Sequence, residues 1–205
     1  MIRVILVDDH PVVRFGLAAI IGLQPDMTVV AEAGSGEEAC PVCDRQPADV
    51  VLMDLRLPGL SGVETIRAIR KSQPKLRFIV VTTYDGDEDI HRALEAGAQA
   101  YLLKAMSHHD LANAIRTVHS GRKYIPASIS KSLAERPPHS ELSLREMEVL
   151  ELIVKGHSNK EIGDALGISE ATVKWHVNMI LSRLNVSDRT QATVAALQRG
   201  IVHLP

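Results

Sequence analysis

Five polar side chains that could do chemistry stand at the ends of short apolar runs. Asp8 and Asp9 follow the first run, Asp54 the third, Thr82 closes the fourth and Lys104 follows the fifth. Three carboxylates in one crevice repel one another unless a divalent cation joins them, and oxygen ligands suit Mg²⁺. A carboxylate can also accept a phosphoryl group, whose oxygens an ammonium and a hydroxyl can stabilise. The alternative, that these acids only cap the following helices, leaves Lys104 and Thr82 unexplained.

The apolar runs predict the elements that must bring these side chains together. They are continuously apolar and alternate with longer amphipathic segments, which is typical of a parallel sheet buried on both faces. The runs are Val4–Val7, Thr28–Val30, Val50–Met53, Phe78–Thr82 and Ala100–Leu103. Capping-box patterns at Ser35–Glu38 and Ser61–Glu64 mark two helix starts. We therefore predict, for residues 1–121, an α/β doubly wound fold with a five-stranded parallel sheet, whose ligand site lies at the carboxyl ends of the strands.

The rest of the chain changes character. Residues 122–140 are basic and contain Pro137-Pro138, which predicts a linker, with a short helix near 128–133. Residues 141–205 show no strand pattern and are expected to form a second, smaller all-α domain. Its helices are predicted at 144–155, 159–166, 170–184 and 189–199. The glycine-containing break around Gly167 is typical of a helix-turn-helix.

Composition excludes several classes of protein. The chain has 205 residues, 45% of them apolar and 23% charged, so it is neither disordered nor collagen-like. A net charge of −2 excludes a general polycation, and 3% aromatic residues cannot build a base-stacking surface. No apolar run reaches the ~20 residues that span a bilayer. We expect a cytoplasmic protein that does not engage the membrane.

The first 121 residues resemble the receiver domains of two-component response regulators. The matching stretches are Asp8-Asp9-His10-Pro11, Met53–Gly59 with Gly62, Thr82, and Gly97 through Tyr101 to Lys104. The resemblance implies that a sensor histidine kinase phosphorylates Asp54. It also implies a Mg²⁺ ion held by Asp8, Asp9, Asp54 and the backbone carbonyl of Arg56, a phosphoryl-binding Lys104, and a switch pair formed by Thr82 and Tyr101.

The second half of the chain carries the stretches Leu142–Glu146, Ser158–Ile162, Leu166–Ser169 and Thr172–Val177. With these stretches, residues 142–204 resemble the LuxR-type output domain, so the whole chain resembles the NarL/FixJ class of response regulators. An apolar stripe on the predicted third helix leaves Thr172, Lys174, Trp175 and Asn178 on the opposite face, where Lys can neutralise a phosphate and Asn can read adenine. Promoter DNA is the expected partner, bound by a homodimer that forms on phosphorylation, and RNA polymerase is a further candidate. Residues 141–205 carry seven basic and eight acidic side chains, so we expect weak binding by a monomer.

Three alternative functions are an enzyme, a pure interaction module and a redox protein. A phosphatase with an aspartyl nucleophile would carry a second Asp two residues later, where this chain has Arg56, so the protein is not expected to be an enzyme. The alternative that the protein is a pure interaction module, with a receiver that no longer switches, stays open. Cys40 and Cys43 form a CxxC pattern, but inside a helical segment rather than after a strand, which disfavours redox chemistry. Pro41, between the two cysteines, is expected to break or delay the second helix.

Overall fold

The structure is a computed structural model that describes residues 1–136 and 141–203. The chain divides into two compact units, one formed by Met1–Tyr84 and Ile90–Lys131 and the other by Asp85–Asp89 and Ser132–Pro205. None of the described helices is long and apolar enough to cross a membrane.

Strands and helices alternate strictly over the first 119 residues. The strands are β1 (Ile2–Val7), β2 (Met27–Ala33), β3 (Val50–Met53), β4 (Arg77–Thr82) and β5 (Ala98–Leu103). The helices between and after them are α1 (Pro11–Gly22), α2 (Gly36–Arg45), α3 (Gly62–Ser72), α4 (Asp87–Ala96) and α5 (His108–His119).

The five strands form one parallel sheet in the order β2-β1-β3-β4-β5. Successive residues of β1, from Val4 to Val7, are all buried, although their side chains point alternately to the two faces. All four residues of β3 are buried as well. The predicted doubly wound fold, with both faces of the sheet covered, is therefore confirmed.

The predicted helix starts differ in how completely they are capped. At α3 the capping box is complete, because Ser61 Oγ accepts from Glu64 N–H at 3.3 Å and Glu64 Oε2 accepts from Ser61 N–H at 3.0 Å. At α2 only half of the box exists. Ser35 Oγ accepts from Glu38 N–H, but the Glu38 carboxylate accepts instead from the N–H of Gly34 at 2.7 Å. The prediction of a full capping box at Ser35 is wrong.

The prediction that Pro41 breaks or delays the second helix is also wrong. Helix α2 begins at Gly36, directly after Ser35, and continues through Pro41 to Arg45. A proline inside a helix costs about 3 kcal/mol because it cannot donate to the preceding turn. Packing offsets that cost, since α2 lies against α3 and β2 and buries Ala39 and Cys43 on this face.

The remaining helices are α6 (Ala127–Ala134), α7 (Leu144–Val154), α8 (Asn159–Leu166), α9 (Glu170–Leu184) and α10 (Arg189–Gln198). They agree with the predicted helices to within about one residue, including the short helix in the basic segment. The Pro137-Pro138 pair, part of the basis for predicting a linker, lies outside the described residues.

Helices α8 and α9 form the predicted helix-turn-helix. Gly167 ends α8 with φ 66° and ψ 35°, a left-handed conformation that glycine adopts without steric cost. One face of α9 enters the apolar core through Val173, Ile180 and Leu184, which are at most 5% exposed. The turn therefore sets α9 with its opposite face free of this core.

Candidate functional site

Neighbouring strands place the acidic side chains at one edge of the sheet. Val7 and Met53, the last residues of β1 and β3, are direct partners in the sheet, and the N–H of Asp54 donates to Val7 O at 2.8 Å. Asp8 and Asp54 are therefore adjacent, and they are only 1% and 4% exposed. Asp9 follows on the more open side. The structure brings Asp8, Asp9 and Asp54 together with one ligand atom of each, and of His10, within 4.8 Å of one another.

Lys104 reaches this cluster from the end of β5. Its N–H donates to Thr82 O at 2.7 Å, which extends the pairing of β4 and β5 by one residue. Its Nζ lies 2.7 Å from Asp54 Oδ2 and 2.7 Å from Asp8 Oδ2. Two buried carboxylates thus share one ammonium group.

The pKa values of Asp54 and Lys104 depend both on burial and on the charges nearby. Burial raises the pKa of Asp54 above its ordinary value, and the hydrogen bond and charge of Lys104 only partly oppose this effect. For Lys104, burial alone would lower the pKa, but its hydrogen bonds to Asp54 and Asp8 outweigh burial, so that its pKa is raised. The ammonium is therefore held in its charged form, while the Asp54 carboxylate carries a cost of burial.

The donor set fits Mg²⁺. Carboxylate oxygens are its preferred protein ligands, and three carboxylates against one ammonium leave the cluster short of positive charge. Arg56 follows Asp54 on the same loop, and its N–H points to Asp54 Oδ1 at 3.4 Å. The loop thus folds back over the carboxylate it carries.

Thr82 and Tyr101 lie on the two strands that flank this edge, β4 and β5. Both are fully buried. Within the described part of the chain, Thr82 Oγ1 has no hydrogen-bond partner. The hydroxyl of Tyr101 donates to the backbone carbonyl of Tyr84 at 2.8 Å, on the loop that follows Thr82.

Two further features surround Asp54. The guanidinium of Arg56 lies over the ring of Tyr84, 5.6 Å from its centroid. On the other side, the start of α3 packs directly on the Asp54 backbone, because a Cβ at Gly62 would lie 2.8 Å from Leu55 Cα. No side chain larger than glycine fits at that position without a shift of the loop.

Sequence reasoning assigned no role to His10, although it stands inside the quoted Asp-Asp-His-Pro motif. Its Nδ1 lies 2.6 Å from Asp9 Oδ1 and 3.4 Å from Asp8 Oδ1.

The four predicted DNA-contacting residues share the exposed side of α9: Thr172, Lys174, Trp175 and Asn178. Lys174 Nζ pairs with Glu170 Oε1 at 2.9 Å, one turn earlier in the same helix. Thr172 Oγ1 lies 2.9 Å from Ser169 Oγ at the helix start, so its hydroxyl also serves the cap. Trp175 is 57% exposed, although tryptophan is highly buried on average.

The cysteine pair has the properties of structural thiols. Both are free. Burial raises the pKa of Cys40 and raises that of Cys43 to about 12. Because the thiolate is the reactive form, both thiols are poor nucleophiles at neutral pH.

Comparison with known proteins supports the families that the sequence predicts for the two halves of the chain. Residues 4–116 match the response regulator receiver domain, and residues 140–196 match the luxR family of bacterial regulatory proteins. The chain therefore belongs to the response regulators of the NarL/FixJ family, which join a receiver to a LuxR-type helix-turn-helix DNA-binding domain.

Individual relatives extend over the whole length. The chain is 40% identical over 211 residues to the transcriptional regulatory protein LiaR of Bacillus subtilis, covering 99% of this chain and 100% of LiaR. It is 38% identical to the response regulator protein VraR of Staphylococcus aureus, covering 98% and 99%. Among solved structures, RcsB of Salmonella enterica serovar Typhimurium, bound to promoter P1flhDC in the presence of phosphomimetic BeF3⁻, is 26% identical with a TM-score of 0.74, covering 96% and 98%.

Proposed function

We propose that Asp54 is the phosphoacceptor through which a sensor histidine kinase controls this DNA-binding regulator. The observation that carries the proposal is a buried carboxylate whose Oδ2 lies 2.7 Å from the Lys104 ammonium, at the carboxyl edge of a parallel sheet. In the transfer, an Asp54 carboxylate oxygen attacks the phosphorus of a phosphohistidine. The phosphorus–nitrogen bond breaks, the imidazole leaves, and an acyl phosphate forms on Asp54.

Mg²⁺ is the proposed cofactor of this transfer. Asp8, Asp9, Asp54 and the backbone carbonyl of Arg56 would hold it. When bound, the ion neutralises charge that would otherwise repel an incoming phosphoryl group. Lys104 supplies a further positive charge, already positioned by its hydrogen bonds to both buried carboxylates.

Thr82 and Tyr101 are the proposed switch. The Thr82 hydroxyl is buried and has no hydrogen-bond partner within residues 1–136 and 141–203, so a phosphoryl oxygen on Asp54 would satisfy it. Rotation of Thr82 toward Asp54 vacates space beside Tyr101, whose hydroxyl is bonded to the loop that follows Thr82. A local charge change would thereby repack the surface around the β4–α4 loop.

The output is proposed to be promoter binding through α9, with Thr172, Lys174, Trp175 and Asn178 as the contact residues. RcsB, which shares this arrangement of domains, has been solved as two dimers bound to DNA. The net charge of residues 141–205 is close to zero, which favours a homodimer reading two half-sites over a monomer. We further propose a cytoplasmic protein with no catalytic activity beyond its own phosphorylation and dephosphorylation, and RNA polymerase as a candidate partner.

Acetyl phosphate labelling followed by intact-mass spectrometry tests the acceptor. The full chain should gain one phosphoryl group in the presence of Mg²⁺ and none after chelation. Asp54→Asn should remain unlabelled, whereas Asp44→Asn, a change of an exposed aspartate on α2, should label as the parent does. Equal labelling of Asp54→Asn would show that the acceptor is a different residue.

A further inference from the structure

Helix α2 holds the loop that joins β3 to α3, and it does so from outside the acidic cluster. The loop covers residues 54–61 and carries two of the proposed magnesium ligands. Its turn at Pro58 and Gly59 is exposed, so burial does not fix this side of the loop. The Glu37 carboxylate, on the first turn of α2, reaches it instead, because Glu37 Oε1 accepts from the N–H of Leu60 at 2.8 Å. A side chain of one helix thus restrains the backbone of the loop.

Glycines on both sides allow this close contact. A Cβ at Gly36 would lie 2.6 Å from Leu60 O and 2.9 Å from Leu60 Cβ, so a larger residue would push α2 away from the loop. Gly59 has a φ of +71°, a left-handed conformation that glycine adopts without steric cost, and a Cβ there would lie 2.3 Å from Glu37 Oε1. The two glycines therefore leave the space in which Glu37 meets Leu60.

The charge of the Glu37 carboxylate strengthens the hydrogen bond. Its own backbone N–H and that of Leu60 hold the pKa of Glu37 below its ordinary value, so the carboxylate is ionised at neutral pH. Hydrogen bonds to an ionised acceptor are about twice as strong as those between neutral groups. No lysine or arginine of the described residues pairs with this carboxylate, so the hydrogen bond to the loop is not shared with a cation.

We propose that Glu37 is a positioning residue, which holds the β3–α3 loop so that the backbone carbonyl of Arg56 can bind Mg²⁺. This inference rests on the proposed function, in which that carbonyl and Asp54 belong to one magnesium site. Mg²⁺ demands near-ideal octahedral geometry, so a carbonyl on an open loop binds it well only where the loop is already in place. Without Glu37, Mg²⁺ binding itself would have to order the loop, which lowers the affinity.

A purely structural role of Glu37, joining α2 to its neighbours, is the competing explanation. The two explanations differ in what depends on Mg²⁺. Loss of a structural contact lowers the melting temperature and leaves the affinity of the folded protein for Mg²⁺ unchanged. Loss of a positioning contact raises the Mg²⁺ concentration needed for half-saturation, whereas saturating Mg²⁺ restores the loop and with it the rate of phosphoryl transfer.

The experiment uses the full chain, with Mg²⁺ as the probe. Backbone amide signals in nuclear magnetic resonance spectra report Mg²⁺ binding directly, and acetyl phosphate labelling over a range of Mg²⁺ concentrations gives the half-saturation point and the maximal rate. The variants are Glu37→Ala, which removes the acceptor, and Glu37→Gln, whose amide oxygen can still accept from Leu60. Glu38→Ala is the matched control, since the Glu38 carboxylate lies on the same turn but accepts from the N–H of Gly34 at 2.7 Å. Circular dichroism checks that each variant folds.

The expected result is a loss of affinity without a loss of maximal rate. Glu37→Ala should raise the Mg²⁺ dissociation constant about fivefold, less than the roughly tenfold or more that follows loss of a group bonded to a metal ligand itself. At saturating Mg²⁺ its labelling rate should stay within about twofold of the parent. Glu37→Gln should recover most of the affinity, and Glu38→Ala should bind Mg²⁺ as the parent does.

The failures of the two proposals are distinguishable. A parent that binds Mg²⁺ and becomes labelled, together with unchanged affinity in Glu37→Ala, would refute the positioning role and leave the proposed function standing. A parent that neither binds Mg²⁺ nor needs it for labelling would refute the magnesium site, and this inference with it. Equal losses of affinity in Glu37→Ala and in either Glu37→Gln or Glu38→Ala would also overturn the inference, since charge at the start of α2, rather than the hydrogen bond, would then set the affinity.

Discussion

Replacing the proposed phosphoacceptor by its neutral isostere, Asp54→Asn, should stabilise the protein in the absence of Mg²⁺. The carboxylate of Asp54 is buried, and the direction of its pKa, raised from 3.8, shows that the fold favours its protonated form. A group with a raised acidic pKa destabilises the fold when ionised. At neutral pH the parent therefore carries a cost that Asp54→Asn removes.

The distances bound the size of this effect. Asp54 Oδ2 and Asp8 Oδ2 each lie 2.7 Å from Lys104 Nζ, so the two oxygens are at most 5.4 Å apart, twice that distance. With an effective dielectric constant of about 20, attraction to Lys104 amounts to about 6 kcal/mol and repulsion from Asp8 to at least about 3 kcal/mol. Burying the ion costs several kcal/mol more. The net attraction, about 3 kcal/mol, is similar in size to this cost, and the raised pKa of Asp54 shows that burial prevails. Asp54→Asn should therefore be more stable by on the order of 1 kcal/mol, or about 2–4 °C in melting temperature.

Thermal melting by circular dichroism, in chelator and in Mg²⁺, is the assay. In chelator Asp54→Asn should melt higher than the parent. As the pH falls toward 3.8 the parent protonates Asp54, so the difference should narrow. Mg²⁺ should stabilise the parent, by about 2.7 kcal/mol at a hundredfold excess over its dissociation constant, and stabilise the variant less.

The half-exposed Asp9 provides the matched control for this experiment. Asp9→Asn should leave the melting temperature in chelator almost unchanged, because the Asp9 side chain is 34% exposed, yet it should also lose stabilisation by Mg²⁺. A lower melting temperature for Asp54→Asn in chelator at neutral pH would refute the reasoning. It would mean that attraction to Lys104 outweighs the free-energy cost of burying the Asp54 carboxylate.

Three further outcomes are expected. Arg56→Ala and Tyr84→Ala should each shorten the lifetime of the phosphorylated form in a dephosphorylation time course, because the stacked pair shields the Asp54 side of the loop from water. Lys174→Ala should weaken DNA binding to all sequences alike in fluorescence anisotropy and lower the salt slope by about one. Gly167→Ala should lower stability to denaturant by about 1 kcal/mol, because φ is 66° there.

Each of these has a control and a contrary result. Arg67→Ala, an exposed arginine on α3, should not alter the phosphoryl lifetime, and unchanged lifetimes in both loop variants would remove the shielding argument. Lys155→Ala lies outside α9 and should leave the salt slope unaltered; a slope retained after Lys174→Ala would place the phosphate contact elsewhere. Asp164→Ala, on the exposed side of α8, should change stability far less than Gly167→Ala, and equal losses would contradict the conformational cost.

The sequence predicts the order and type of the elements well, because buried strands and capped helices leave local patterns. It predicts strand lengths less well. For β2 the apolar run suggested Thr28–Val30, whereas the strand covers Met27–Ala33. This strand lies at the edge of the sheet, so it includes Glu32, which an apolar run cannot reveal. Pairing with β1 fixes its length instead, and Pro41 in α2 likewise shows tertiary packing outweighing a local preference.

For the site, residue types and strand ends identified the acidic cluster and Lys104, since parallel strands bring their carboxyl ends to one edge. What the sequence could not give is how the charges are shared. The 2.7 Å contacts of Lys104 with both Asp8 and Asp54 depend on β4 lying between β3 and β5. The place of His10 depends on the turn into α1, so its nearness to Asp9 emerges only from the folded chain.

The contacts around Asp54 indicate how the proposed phosphorylation would act beyond Asp54 itself. Lys104 pairs with two carboxylates, and the buried Thr82 hydroxyl has no hydrogen-bond partner among the residues that the structure describes. A phosphoryl group on Asp54 would present oxygens to both Lys104 and Thr82. A hydrogen bond from the Thr82 hydroxyl to one of these oxygens would favour an inward conformation of the Thr82 side chain. The Tyr101 hydroxyl holds the loop at Tyr84, two residues beyond Thr82. In the proposed switch, a hydrogen bond from Thr82 to the phosphoryl group would therefore change the packing beside Tyr101, whose hydroxyl holds this loop.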